Sequence, residues 1–338
     1  MDEMKKPASP AENGKPGPGF GGPGFSGGSM IAPGIPEAPA AARDDSNKLT
    51  RQYLDSVMLE YRYIGSRTPD MNTEFLGHTF SSPIMIGGLS AMVVGMHPNG
   101  LVEFGKAAAE LNLLCFVGYL QNKQVEDVCA TGAKTARVIK LQADTQKVLD
   151  DIKHDADCGA FAYAMDIDHV FGRDGRNYIS HTPDYGDLAP RDTDQLREII
   201  ASSELPCILK GVLSISDAKK AVEAGAKGIL ISHHKGEVPC AVPPAYVLPE
   251  IKAAVGGRIS VLADCGIISG LDAYKVLARG AESVCVARAL LADYRKEGAE
   301  GIVRRLNQIN DELRCAMART GTVDTRSFDI TTLRKIDW

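Results

Sequence analysis

A chain of 338 residues with 44% hydrophobic and 24% charged side chains has the balance of an ordinary globular protein and can bury one large core. Its net charge of −5 gives no general attraction to nucleic acid or to an anionic membrane surface, both of which require clustered Lys and Arg. No stretch approaches the roughly 20 apolar residues of a membrane span, no continuous apolar signal segment opens the chain, and the cysteines (Cys115, Cys129, Cys158, Cys207, Cys240, Cys265, Cys285 and Cys315) form no CxxC pair. These features predict a protein of a reducing, cytoplasmic compartment, with no metal site and no nucleic-acid or membrane partner.

Residues 1–46 carry "GKPGPGFGGPGFSGGSMIAPGIPEAPAAA", a Gly/Pro density with too few large apolar side chains to offset the entropy of ordering. They predict a disordered tail; docking of its Phe residues on a partner is the weaker reading, because composition alone specifies none. From Asn47 to Trp338 a second texture begins, in which short apolar runs alternate with amphipathic segments. The runs are Pro83 to Gly88, Leu113 to Gly118, Ala136 to Leu141, Ala160 to Met165, Cys207 to Val212, Gly228 to His233, Ile259 to Cys265 and Ser283 to Arg288. They are continuous rather than alternating, as strands of a parallel sheet buried on both faces should be. Between them "NGLVEFGKAAAELN", "TQKVLDDIKHDA", "TDQLREIIASS" and "SDAKKAVEAGA" have helical periodicity, and Ser214 with Asp217 forms a capping signal before the last. Eight strand-then-helix units predict an α/β fold, a (β/α)8 TIM barrel over residues 47–338. An open doubly wound sheet would carry a GxGxxG after its first strand, and none is there.

In such barrels the working groups collect at the C-terminal ends of the strands. The fifth run delivers Lys210, the sixth His233 and His234, the seventh Asp264 and the eighth Arg288. Each has a plain reading: a cation can reach solvent, a histidine can be a structural donor, an aspartate can cap the next helix. Their concentration on one rim favours function.

The segments "LPCILKGVLSISDAKKAVEAGAKGILISHHKG" and "ISVLADCGIISGLDAYKVLARGAESVCVARALL" resemble the FMN-dependent α-hydroxy-acid oxidases and dehydrogenases, the family of glycolate and lactate oxidases. LKG, S-x-H and ADxGIxxGxD carry the resemblance by their order and spacing, and it extends at lower density from about Leu54 to the C-terminus. It implies FMN at the C-terminal face of the barrel and a homo-oligomer. It implies Lys210 beside flavin N1 and C2=O, where a fixed positive charge stabilises the reduced, anionic ring. His234 becomes the general base that takes a proton from the substrate while two electrons pass to flavin N5. Asp264, Gly266, Ala287 and Arg288 fall on the flavin phosphate site, with Gly88 and Ser90 completing the cofactor shell from the first strand. An aspartate after strand four pairs with the histidine, and Asp166 and Asp168 are both candidates.

Departures from the family pattern concentrate on the substrate side. Where the family reads SNHGGR, this chain has Ser232, His233, His234, Lys235, Gly236 and Glu237, so Glu237 replaces the arginine that clamps the substrate carboxylate. A second substrate arginine corresponds to Arg173; the tyrosine after strand three corresponds to Gln142 or its neighbour; Ile268 stands for a phosphate-contacting arginine and Ala287 for a glycine. The expected enzyme is therefore an FMN-dependent oxidoreductase whose substrate is an amine, a neutral alcohol or a larger hydroxy compound rather than a simple α-hydroxy carboxylate. The long segment Asp166 to Asp192 is a candidate lid, with Tyr178, His181 and Tyr185 facing substrate. Two other classes fit the residues: a flavin-free lyase with a Schiff base on Lys210, and a non-catalytic barrel scaffold whose tail recruits a partner.

Overall fold

The computed structural model describes residues 45–336 apart from 98, 119, 120, 173, 180–185 and 238. Most of the Gly/Pro-rich segment read as a disordered tail lies outside the described residues. Eight parallel strands close into a barrel: β1 Ile84–Leu89, β2 Leu114–Val117, β3 Lys134–Lys140, β4 Ala162–Asp166, β5 Cys207–Val212, β6 Gly228–Ile231, β7 Ser260–Ala263 and β8 Ser283–Val286. Closure is through β8 on β1, where Val284, Cys285 and Val286 stand opposite Ile84, Met85 and Ile86. Helices follow the strands in the order the periodicity predicts, and Ser214 caps its helix, Ile215–Glu223, by accepting from the Asp217 N–H. No helix among the described residues is long and apolar enough to cross a membrane.

β6, β7 and β8 each end two residues before their runs close, at His233, Cys265 and Arg288. β6 stops at Ile231, because the Ser232 hydroxyl accepts from the His234 N–H and turns the chain out of the ladder. β8 stops at Val286, because Ala287 leaves the extended region (φ −126°, ψ −86°) and Arg288–Leu290 form a 3₁₀ turn. His233, His234 and Arg288 are thus loop residues at the rim rather than strand residues.

The barrel interior is filled by one or two inward residues from each strand. Met85, Leu114, Phe116, Ala136, Val138, Ala162, Ala164, Ile208, Leu230, Leu262 and Cys285 form a single buried cluster, joined by Phe75 and Phe80. The two phenylalanines come from a hairpin, Thr73–Phe75 paired with His78–Phe80, which plugs the N-terminal end of the barrel. Because side chains alternate along a strand, the next inward layer toward the C-terminal end holds Lys140, Asp166, Lys210, Ser232, Asp264 and Ala287. The apolar filling therefore ends in a charged and small-residue layer at the mouth, and this places the site.

A helix spanning Ser46–Asp55 lies over that mouth. It buries Ser46, Thr50 and Leu54, spaced four apart, and Asp45 caps its start by accepting from the Asn47 N–H. Arg51 anchors it, donating to both carboxylate oxygens of Asp272 at 3.0 and 2.7 Å and to the Gly266 carbonyl at 3.1 Å.

Candidate functional site

Three strand ends bring together a buried ionic cluster. Lys140 Nζ stands 2.5 Å from Asp166 Oδ2, and Lys210 Nζ 2.7 Å from Asp166 Oδ1, all three side chains under one-tenth exposed. Burial opposes ionisation of Asp166, but the charges of Lys140, Lys210 and His234 override it and hold the carboxyl well below its ordinary range. Burial likewise opposes charge on Lys210, and Asp166, Asp168 and Asp264 outweigh it, so the ammonium is held above its ordinary value.

The glycine after Lys210 explains the LKG motif. Gly211 has φ +96° and interrupts the register between β5 and β6; a Cβ there would stand 2.3 Å from Asp168 Cγ. Its bare backbone is the space into which the Asp168 carboxylate fits. From there Asp168 Oδ1 accepts from His234 Nδ1 at 3.0 Å, while Asp166 Oδ1 is 3.8 Å from the same nitrogen and is engaged by the lysines. Of the two aspartates, Asp168 is the partner of His234. A carboxylate only accepts, so Nδ1 carries a proton, and in the neutral imidazole Nε2 keeps the lone pair. Lys210 Nζ lies 3.4 Å from the same Nδ1.

The loop carrying His234 is wound through consecutive left-handed residues, His234 (φ 48°), Lys235 (φ 54°) and Gly236 (φ 79°). For two residues with a Cβ this is a sparsely populated conformation. Three contacts hold it. His233 Nδ1 accepts from the Gly236 N–H at 2.9 Å, Ser232 accepts from His234, and Asn47 Nδ2 donates to the Lys235 carbonyl at 2.5 Å. With Nδ1 accepting, His233 carries its proton on Nε2 and donates to Thr50 Oγ1 at 2.8 Å. Burial lowers the pKa of His233. His233 is therefore a structural support, and His234 is the histidine presented to the mouth.

Glu237 is paired. His169 Nδ1 lies 2.9 Å from Glu237 Oε2, and the His169 ring is 5.1 Å from the His234 ring and 5.5 Å from Tyr178. Burial pushes Glu237 toward the neutral acid; the bond to His169 and the charges of His169, His234 and Lys140 prevail and take it down to about 2. The position where the family carries a cation is here an anion.

At the opposite side of the mouth the side chains are small or absent. A Cβ at Gly87 would meet Ala287 Cβ at 3.1 Å, one at Gly88 would meet Val138 Cγ2 at 3.3 Å, and one at Gly266 (φ +75°) would meet Thr50 Cγ2 at 2.8 Å. Asp264 Oδ1 accepts from the Cys265 thiol at 2.9 Å, and burial with the neighbouring Asp264 charge keeps that thiol protonated. Arg288 Nη2 donates to Asn47 Oδ1 at 2.8 Å, so Asn47 bridges Arg288 to the His234 loop. Ser90 precedes the short helix Ala91–Met96 at the end of β1.

Most sequence-predicted residues thus converge on one mouth: Lys210, Asp166, Asp168, His234, Glu237, Asp264, Gly266, Ala287, Arg288, Gly88 and Ser90. Arg173, His181 and Tyr185 lie outside the described residues. Tyr178 does face His169, and Gln142, the residue corresponding to the family tyrosine, is buried, with its carbonyl accepting from Arg191. Three participants were not singled out from sequence: Lys140, His169 and Asn47. Lys140 obeys the same strand-end rule that finds Lys210. Neither of two surface cavities touches the mouth; the larger, about 410 Å³, lies between Ser66–Pro69 and the last helix near Arg314 and Cys315.

Comparison with known proteins agrees with this geometry. The model of the family described as FMN-dependent dehydrogenase matches residues 38–187 and 186–335. The chain is 29% identical over 304 residues to 4-hydroxymandelate oxidase of Amycolatopsis orientalis (80% of this chain, 85% of that protein), and 31% identical over 306 residues to glycolate oxidase 3 of Arabidopsis thaliana (80% and 82%). Among solved structures, a mandelate oxidase variant with 2-hydroxy-phenylacetamide superposes with a TM-score of 0.75 at 28% identity, covering 83% of this chain and 87% of the other. A second variant, bearing a monooxide FMN adduct, gives 0.76 at 26% identity over 86% and 91%.

Proposed function

The chain belongs to the FMN-dependent dehydrogenase family, an enzyme with FMN as its cofactor acting on a hydroxy-acid-like substrate, and from that premise we propose that it oxidises a hydroxy compound with His234 as general base. The observation that carries this reading is the Asp168–His234 pair: the carboxylate 3.0 Å from Nδ1 sets the tautomer and aims a basic Nε2 into the mouth. Asp168 also stabilises the imidazolium formed when Nε2 takes a proton from the substrate.

The residues present fit FMN. A flat ring needs bare floor on one side and polar partners on the other, and the mouth offers Gly87, Gly88 and Ala287 opposite Lys140, Asp166 and Lys210. When bound, FMN supplies the two-electron acceptor. Lys210 would then set a fixed positive charge beside the ring, and Gly266, Ala287 and Arg288 would take the phosphate.

The finer reading concerns substrate. Glu237, ionised and held by His169, repels a carboxylate at the position where an arginine would clamp one. We therefore assign a substrate whose carbinol neighbours a neutral or cationic group, such as a hydroxy amide or an amino alcohol. Borohydride-trappable lyase chemistry is disfavoured, since a Schiff-base lysine needs a depressed pKa and Lys210 is moved the other way.

The test is the visible spectrum of the purified protein with and without added FMN, followed by anaerobic mixing with lactate, glycolate, mandelate and 2-hydroxy-phenylacetamide. Bound flavin bleached by the amide and not by the acids is the expected result. Rapid bleaching by all three acids overturns the substrate assignment, and failure to bind FMN overturns the cofactor's part in it.

A further inference from the structure

His169, His234 and Glu237 each offer a ligand atom, and the three atoms lie within 4.8 Å of one another. We propose that they form a seat for a divalent first-row transition cation at the barrel mouth. Two imidazoles and one carboxylate on one face, with the remaining positions open, are a donor set such cations accept. Two ligands of a single ion stand about 3–3.4 Å apart when each is about 2.1 Å from it; His169 Nδ1 and Glu237 Oε2 are already 2.9 Å apart. The three ligand atoms lie within 4.8 Å of one another, so His234 closes the set by an approach of up to about 1.4–1.8 Å.

Two further observations support a cation here. His234 presents Nε2 because Asp168 holds Nδ1 at 3.0 Å, the carboxylate–histidine arrangement that orients and strengthens metal-binding imidazoles. The second is charge. With both imidazoles neutral, as cation ligation requires, the bonded network around His234 and His169 contains Asp166, Asp168 and Glu237 against Lys140 and Lys210, three carboxylates to two ammonium groups, and both lysines are directed at Asp166. Asp168 Oδ2 is buried without a hydrogen-bond partner among the described residues, leaving its charge only partly compensated. The ligand side chains are 17%, 20% and 36% exposed, so an ion has a path in.

The seat is not a second route to the proposed oxidation. A cation on Nε2 takes the lone pair that would receive the substrate proton, so cation occupancy and base catalysis exclude each other. The cation is an inhibitor that competes at His234, and its binding does not require flavin.

The experiment is equilibrium dialysis of the purified, flavin-loaded chain against buffered Zn²⁺, with zinc and flavin measured in each sample. The variants His169→Ala and Glu237→Gln each remove one ligand, and retained flavin absorbance and an unchanged thermal midpoint show that they fold. The expected result is one Zn²⁺ more per wild-type chain than per variant chain at the same free zinc, and affinity weakened by about 10- to 100-fold in Asp168→Asn, which keeps all three ligands. Equal zinc content in wild type and both ligand variants overturns the proposal, since exposed thiols such as Cys315 would then account for whatever binds. Extra zinc on a chain that takes up no supplied FMN leaves the seat standing and removes the oxidase reading; bound flavin without the extra zinc does the reverse.

Discussion

Glu237→Arg reverses the charge at the position to which the proposed function assigns substrate class. In the wild type a substrate carboxylate brought to this side of the mouth meets an ionised Glu237, held down at about 2 against burial by His169, His234 and Lys140. Two like charges about 4 Å apart repel by about 4 kcal/mol at an effective dielectric near 20. Glu237 is 36% exposed and His169 offsets part of its charge, so that figure is an upper bound. An arginine contributes instead a forked, charge-assisted pair worth about 1.5–3 kcal/mol. Counting only that pair, Glu237→Arg lowers KM for lactate, glycolate or mandelate by about 10- to 150-fold. The assay is anaerobic flavin reduction titrated with each acid, in protein whose flavin content has been matched by absorbance. Glu237→Gln, which carries neither charge, falls between the two. Should Glu237→Arg keep its flavin while KM for every acid stays within about twofold of wild type, Glu237 does not face the substrate and the assignment of substrate class fails.

Other perturbations separate the parts of the site. Asp168→Asn keeps the shape and loses the charge that orients His234, so kcat falls by about 10²- to 10⁴-fold with flavin content unchanged; a kcat near that of wild type would show that His234 is not the base. Gly211→Ala puts a Cβ 2.3 Å from Asp168 Cγ at a φ of +96°, so it should lower the unfolding free energy measured in urea by about 1–3 kcal/mol and kcat with it. Arg137→Met leaves Asp151 and Asp155 buried without their guanidinium, 3.1 and 3.3 Å away in the wild type, and should cost about 3–5 kcal/mol in the same unfolding measurement. Burial raises Asp155 to about 6, with Arg137 opposing, whereas an unfolded aspartate titrates near 3.9. Between those values the folded chain binds more protons than the unfolded one, so stability falls as pH rises from about 4 to about 6. Asp155→Asn removes that slope, and parallel pH–stability curves for the two proteins would refute the sign.

Most of the barrel could be read from sequence because each strand is a continuous apolar run and the helices between them keep their period. β5 begins and ends where its run does, Cys207–Val212. The misread boundaries lie where the backbone leaves the ladder: the Ser232 hydroxyl turns the chain after β6, and the 3₁₀ turn after Ala287 ends β8. Ser232 and His233 after β6 and Arg288 after β8 are polar, so a run drawn through them overshoots the strand. The helix Ser46–Asp55 was harder still, since its buried face is a single leucine, Leu54, with two polar residues, Thr50 and Ser46, which pair with His233 and Ala241, rather than an apolar stripe.

The site was legible to the extent that its residues follow strand periodicity. Counting two positions beyond the apolar layer at Val138, Ala164, Ile208 and Leu262 gives Lys140, Asp166, Lys210 and Asp264, so one rule finds four members of the mouth, and Lys140 was missed only because the rule was applied to the later strands. No such rule gives His169. It sits in the loop after β4, and its meaning depends on Glu237, 68 residues away. Glu237 read alone is a lost arginine; with His169 beside it, the same residue is half of a built pair. The departure from the family is therefore a replacement of one polar device by another, which is why both the substrate assignment and the cation seat turn on these two side chains and His234 between them.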